Sequence, residues 1–517
     1  MKYTLLIPIF ALLGLCACEP DGLYDSPISV SEKVQVAQGI VVQNHTENRL
    51  ELLSVGQRTL RNRVLFTPEE GEIIHRVFAG KENENSPNVY VVTYPASARQ
   101  TDISPTLSVI ETATGNVTRY STNSLFGNQH FDPDGRYIIL YHSDTDDAYV
   151  GGLSNDNEIA IIDLNSPPSA ANPFADSIDI SGHTIESITF LNEITIGDTV
   201  RKLVAFSTRG NIQFTDFNDE NFASVTVNLK NDDDPRIIIP DKFQLLPAQG
   251  NRGPRLFVKA NGASEIYDIE FNVKDNEVGF YATSALLDSG YVPSDFALVQ
   301  DDTDLLLVTA AGNTRQLTIF ETDTAAAVSV VLDDMVSTIF EREQNGLREL
   351  VMFGSNTQNI YFLPFDNLKA EKGDNLESLT VPSGISSAYI LDNDRLMIFS
   401  SSNYNVTILD LRTRTMTNLS GASGSNWTEG KLWNETYFLA EYDMVAFLNI
   451  LSGSPGTLAL DEPISSLYVF EQQGVGVAMH SNPAGRATLF PLQMPTRAAS
   501  TIVDGFYVEG ILNRGEE

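Results

Sequence analysis

The sequence predicts an all-β chain: a single β-propeller of four-stranded antiparallel blades, about eight of them within a range of seven to ten. Three observations predict it. An apolar run of five or six residues, a short polar turn and a second apolar run recur along the chain. The copies stand roughly 46–52 residues apart, a period that belongs to repeat architectures. No convincing amphipathic helix interrupts them, and the runs are rich in Val, Ile, Phe and Tyr, which favours strands.

The clearest copies are Leu203–Ser207 with Ile212–Phe217, Leu256–Lys259 with Ile266–Phe271, Leu350–Gly354 with Ile360–Phe365, and Leu396–Ser400 with Val406–Leu411. Looser ones lie at Ile40–Gln43 with Leu50–Val55, Val89–Tyr94, Tyr137–Tyr141, Leu305–Thr309, Met444–Leu448 and Val475–Met479. One further strand precedes each pair, as at Val336–Phe340, and another usually follows, as at Val225–Leu229. These phases number ten, more than the usual four to eight blades. The surplus is assigned to insertions or half-blades, with 436–495 the least regular stretch. The N-terminal copy, 33–65, shows a weak first strand, and 502–512 offers a lone strand. Pairing the two would complete one blade from both chain ends and leave no open edge.

Some turns resemble known repeats. Phe131–Asp144 (FDPDGRYIILYHSD) resembles the strand-turn-strand of TolB-like and PD40 propellers, and Leu107–Thr118 (LSVIETATGNVT) is similar to the YVTN-type repeat. Val406–Thr413 (VTILDLRT) is similar to a WD40 third strand, without its Gly-His partner. The resemblance covers a small part of the chain. It implies the propeller and no particular activity.

The N-terminus opens MKYTLLIPIFALLGLCAC, with Lys2 before a short apolar stretch. That is the plan of an export signal, too short to span a bilayer. An ordinary Ala-x-Ala cleavage is one reading. Leu15-Cys16-Ala17-Cys18 resembles the lipobox of bacterial lipoproteins, which implies cleavage before Cys18 and a lipid on it. Residues 1–17 are then the signal, 18–32 the lipidated cysteine with a Pro/Gly/Ser-rich tether, 33–512 the propeller and 513–517 a tail. Cys16 and Cys18 are the only cysteines, so an exported chain of this plan relies on its core rather than on disulfides. Glu19 is not the Asp that retains such proteins at the inner membrane, so an outer-membrane location is expected, on an unspecified side.

Asp+Glu number 68 against 33 Lys+Arg, a net charge of −35 that becomes −36 once Lys2 leaves with the signal (−35 − 1). Such a field repels nucleic-acid phosphates and anionic headgroups, so no nucleic acid is expected as partner and the lipid alone holds the membrane. Apolar residues make up 42%, which excludes a disordered acidic tail.

The turns sort by chemistry. First-to-second turns read as acidic: Asp132–Gly135, Asp301–Asp304, Asp392–Asp394 and Glu441–Asp443. Second-to-third turns read as small and neutral, and Asn261, Asn313, Asn356, Asn403 and Asn482 mark them as partner-binding positions. Good turn formers explain the residue types but not the segregation. The long loop 143–158 carries Asp144, Asp146, Asp147 and Asp156, an oxygen set that would suit Ca²⁺. It lacks the EF-hand order, and a solvated acidic loop is the plainer reading. No other cofactor is called for. Trp427 and Trp433 read either as blade filling or as platforms for a sugar ring. The six histidines show no ligand spacing, although His45 and His480 fall in equivalent turns.

No Gly-x-Ser-x-Gly elbow, P-loop, sialidase box or quinoprotein tryptophan motif is present. The balance is therefore against an enzyme. The first reading is a non-catalytic, lipid-anchored binding or scaffolding module for an envelope protein or an extracellular polymer. The alternatives are a glycan- or peptide-processing enzyme with carboxylates in the central channel, and an outer-membrane assembly scaffold. The anchor is directly testable. Cys18→Ser should release the protein from membranes and abolish labelling by a clickable fatty acid, while Cys16→Ser keeps both; the reverse pattern places the cleavage elsewhere.

Overall fold

The computed structural model describes residues 33–505 except 81–86, 97–103, 143–156, 170–173, 181–183, 192, 230–235, 249–251, 275–278, 301–304, 345–346, 366–375, 401–404, 420–429 and 481–484. Among the described residues are ten four-stranded antiparallel sheets, each built from strands in chain order. These are the blades: 33–66, 72–121, 128–179, 187–228, 239–288, 295–331, 338–385, 387–419, 431–459 and 464–504. Ten is within the expected range and above the expected eight. The phases taken for surplus are complete blades. The irregular stretch resolves into blades 9 and 10, whose pattern is obscured by the three-residue first strand Lys431–Trp433.

Ring closure differs from the expectation. The N-terminal blade has its own first strand, Lys33–Val36, paired with Gly39–Asn44. The C-terminal strand Thr501–Asp504 pairs with Arg486–Pro491 inside blade 10, and 506–512 lie outside the described residues. Among the described residues no strand is exchanged between the chain ends. Side chains close the ring instead. Ile40, Val42, Leu53 and Leu60 of blade 1 share one core with Phe470, Val477, Met479 and Leu489 of blade 10. Lys33 Nζ donates to Ser465 Oγ at 3.1 Å and Ser466 Oγ at 2.7 Å across the same seam.

Every other pair of neighbouring blades shares a core of the same kind. This explains why the central strands are apolar on both faces. Successive side chains of a strand point to opposite faces. In blade 3, Ile138 and Leu140 pack toward blade 2 while Tyr137 and Ile139 pack toward blade 4. Each such side chain contributes about 1.5–3 kcal/mol when fully buried. Second strands such as Gly39–Asn44, Leu203–Thr208, Leu305–Ala310 and Val475–His480 are buried throughout. Fourth strands such as Ala326–Val331 are largely exposed and form the outer rim. First strands are half-buried, and those of several neighbouring blades touch, as Lys33–Val36 does Glu72–Ala79. They are the inner ring.

Turn chemistry sets the register. The hairpin after His130 is closed by Asp132, which accepts the Asp134 N–H at 3.1 Å, and by Gly135 at φ +74°, a left-handed position that suits glycine. Third-to-fourth turns reuse one device. An acidic or amide residue at the strand end accepts a hydrogen bond from a Ser or Thr hydroxyl three residues on: Glu111 from Thr114 at 2.6 Å, Glu321 from Thr324 at 3.1 Å, Asn449 from Ser452 at 2.9 Å. The next residue is left-handed, at Gly115, Ala325 and Gly453. The YVTN-like segment is the first of these turns.

In an antiparallel blade, second-to-third turns and blade-to-blade connections emerge on one face, here called upper. First-to-second and third-to-fourth turns emerge on the other, the lower face. The short hairpin Ile194–Ile196 with Thr199–Arg201 is an insertion on the lower side of blade 4, and its Ile194 and Ile196 complete the core with blade 5.

A closed ring makes the seam as costly to damage as any other interface. Leu489→Ala at the seam and Leu140→Ala between blades 2 and 3, both at most 1% exposed, should each lower the unfolding free energy by about 2–5 kcal/mol. Urea denaturation checks this, and a seam variant that unfolds like wild type would show an open ring.

Candidate functional site

The upper face carries the neutral turns. Asn261, Asn313 and Asn356 are all exposed there, in the second-to-third turns of the consecutive blades 5, 6 and 7. Asn403 and Asn482, the acidic loop residues Asp144, Asp146, Asp147 and Asp156, the anchor Cys18, and Trp427 lie outside the described residues. Among the described residues there is no group of three or more His, Cys, Asp or Glu side chains that would hold a metal.

Each of the three described turns is held by the connection entering or leaving its blade. In blade 5, Ser289 Oγ donates to the Ser264 carbonyl at 2.7 Å. In blade 6, Ser294 Oγ is 3.0 Å from both the Ala310 and Val336 carbonyls. In blade 7, Asp334 accepts from the N–H groups of Gln358 and Asn359 at 3.1 and 3.0 Å and from Asn359 Nδ2 at 2.8 Å. Its own N–H donates to Tyr361 Oη at 2.8 Å. Asn356 itself sits at φ +59°, a left-handed position that Asn tolerates better than most residues. The turns are therefore held before any partner arrives, which limits the ordering cost of binding. Ser289, Ser294 and Asp334 were not singled out from sequence, since they lie between repeats and carry no periodic signal.

Blade 9 corrects one assignment. Glu441–Asp443 joins the second strand Thr436–Glu441 to the third strand Met444–Asn449. This acidic turn is on the upper face, not the lower. The short first strand Lys431–Trp433 had hidden the true phase. At its tip Tyr442 is 78% exposed at φ +22°.

The other described acidic turns are on the lower face as expected, but their acids are tied down. Asp132 is fully buried and Lys202 of blade 4 reaches it at 2.7 Å, with Asp134 at 2.8 Å. Burial alone would lower the Lys202 ammonium; its bonds to Asp132 and Asp134 outweigh that and raise it. Arg342 of blade 7 reaches Asp394 in blade 8 at 3.0 Å and also holds the buried Glu349 at 2.8 Å. Arg414 of blade 8 returns to Glu349 at 2.8 Å. Arg395 of blade 8 reaches Glu435 in blade 9 at 2.6 Å. Burial would raise the Asp392 carboxyl, yet the Arg395 guanidinium and the Asp394 N–H prevail and hold it below the ordinary range. Among the described residues these lower-face turns thus form inter-blade ion pairs rather than a ring of free carboxylates, and Asp301–Asp304 lies outside the described residues.

The histidines are dispersed. His480 is buried, its Nδ1 3.1 Å from the Glu462 carbonyl and its Nε2 2.7 Å from Thr488 Oγ1, whereas His45 is exposed. They occupy equivalent turns in neighbouring blades but not equivalent environments. Trp433 is half-buried on the lower side against the core shared by blades 9 and 10.

No family model matches this chain, and no curated protein matches it. Among solved structures, a dihydro-heme d1 dehydrogenase, NirN, is 15% identical, with 71% of this chain and 73% of that chain covered at a TM-score of 0.40. The Dos1 propeller is 12% identical over 67% of this chain and 87% of that one, at 0.39. A eukaryotic initiation factor structure is 10% identical over 92% and 96%, at 0.42. At these values the likeness carries no functional argument, and the propeller rests on the strand pairing itself.

The lower-face ion pairs predict a contrast. Lys202→Met strands the buried Asp132 carboxylate and should cost about 3–5 kcal/mol. Asp134→Asn removes a carboxylate that is 74% exposed and should cost under about 1 kcal/mol. Equal denaturation midpoints for the two variants would refute the role given to Lys202.

Proposed function

We propose that this chain is a non-catalytic binding module, tethered to the outer membrane by a lipid on Cys18, that grips an envelope protein or an extracellular polymer on its upper face. The observation that carries this reading is the set of exposed, pre-held Asn turns in blades 5, 6 and 7. Short amide side chains exchange hydrogen bonds with a partner at little desolvation cost, and they offer both donors and acceptors. Asn403 and Asn482, outside the described residues, hold the same position in the sequence repeat. The described acidic turns of the lower face are occupied in holding blades together, so the macromolecular partner is assigned to the upper face. Fold alone does not imply activity, so the proposal rests on this surface.

The test is capture of a partner from solubilised envelopes, its identification by mass spectrometry, and titration of that purified partner against variants. Asn313→Arg and Asn356→Arg should each weaken binding at least about tenfold, the effect of losing roughly 1.4 kcal/mol. Asn165→Arg makes the same change at an exposed position in a lower-face turn and should leave binding unchanged. If Asn165→Arg alone abolishes binding, the assigned face is wrong.

A further inference from the structure

A cavity of about 450 Å³ opens where the ring closes. Three blades build it on the lower side. Blade 9 supplies Trp433 at the end of its first strand. Blade 10 supplies Gln473 and Gly474 from its first-to-second turn and Gln493 from beyond its third strand. Blade 1 supplies Gln57 and Arg58 from its third-to-fourth turn. No Asp or Glu lines it, although the chain carries 68 of them. In a protein of this charge, a wall of one indole, three carboxamides and one guanidinium, set among Gly474, Val475, Pro491 and Ala499, is a local exception.

The frame of the cavity is fixed. Gly474 has φ +63°, and a Cβ built there would meet nothing within 4 Å, so the backbone borders open space. Its carbonyl accepts the Leu492 N–H at 3.0 Å and its N–H donates to the Glu471 carbonyl at 3.2 Å. Trp433 is anchored on one side by the apolar core of blades 9 and 10. The size is that of a small-ligand site, typically about 300–1,000 Å³.

The chemistry of the wall selects a ligand class. A purely apolar ligand would strip water from three carboxamides and a guanidinium without replacing their hydrogen bonds. A polyanion would face the field of a −35 protein with a single cation for support. A neutral pyranose fits both requirements. Its C–H face lies flat on an indole, and its hydroxyls both donate and accept, matching carboxamides that do the same. We propose that this seam cavity binds a neutral hexose unit of an oligosaccharide, with Trp433 as the stacking platform and Gln57, Arg58, Gln473 and Gln493 reading the hydroxyls. The site is on the face opposite the Asn turns and is independent of that proposal.

The chain has two tryptophans, so Trp427→Phe leaves Trp433 as the sole indole reporter. Titration of the full-length Trp427→Phe protein with maltotriose, cellotriose and mannotriose should give a saturable change in emission for at least one sugar, with Kd of about 1 mM or tighter. Calorimetry on the wild-type protein should give the same preference. Gln473→Ala and Gln493→Ala should each weaken that sugar about fivefold, the effect of one hydrogen bond, and Trp433→Ala should abolish binding. Gln493 is exposed, so its variant keeps the test valid if Trp433→Ala fails to fold. The proposal is overturned if none of the three sugars binds by either method. It is equally overturned if binding is unchanged in both Gln variants, or if trigalacturonate binds and the neutral sugars do not.

Discussion

The whole structure depends on one packing constraint: the central strands of every blade must be apolar on both faces. A blade in a closed ring has a neighbour on each side, so side chains of both parities along a strand enter a core. Blade 8 shows the alternation in three residues, with Leu396 and Ile398 packed toward blade 7 and Met397 toward blade 9. The outer strands have a neighbour on one edge only and can be polar. Because the rule holds at the seam as well, the ring closes by side-chain packing of blade 10 on blade 1, with no need to exchange a strand.

Charge is arranged around that constraint. The chain carries about twice as many acids as bases, 68 against 33. On the lower face Lys202, Arg342, Arg395 and Arg414 hold neighbouring blades together. Several of their acidic partners, such as Asp132 and Glu349, are buried. An ion pair of this kind specifies geometry more than it adds stability, because desolvation offsets much of the attraction. Here it sets how one blade's turn sits on the next. On the upper side one such pair joins blades 5 and 6, Lys242 with Asp295, whose other oxygen accepts the Ile339 N–H of blade 7 at 2.6 Å, while the turns themselves are held by hydroxyls and by Asp334.

Part of the candidate surface was legible in the sequence. The phase of strands around Asn261, Asn313 and Asn356 followed from strong apolar runs on both sides, so their common face was readable. Glu441–Asp443 was misplaced because a three-residue strand carries too little pattern to set a phase. The residues that hold the turns sit in connections, where no repeat exists to read. The seam cavity was invisible for a further reason: Gln57, Trp433 and Gln493 are more than 430 residues apart at the extremes and meet only once the ring is closed.

The sequence by itself determined the all-β architecture, the four-strand repeat and the place of most hairpins. These depend on short-range periodicity and turn chemistry, which any blade expresses within its own segment. Tertiary structure decided the number of blades, the way the ring closes, the pairing of acidic turns with cations from a neighbouring blade, and the cavity at the seam. Those depend on how much angle each blade takes up and on which side chains meet across it. Such contacts join residues distant in the chain, and no local pattern records them.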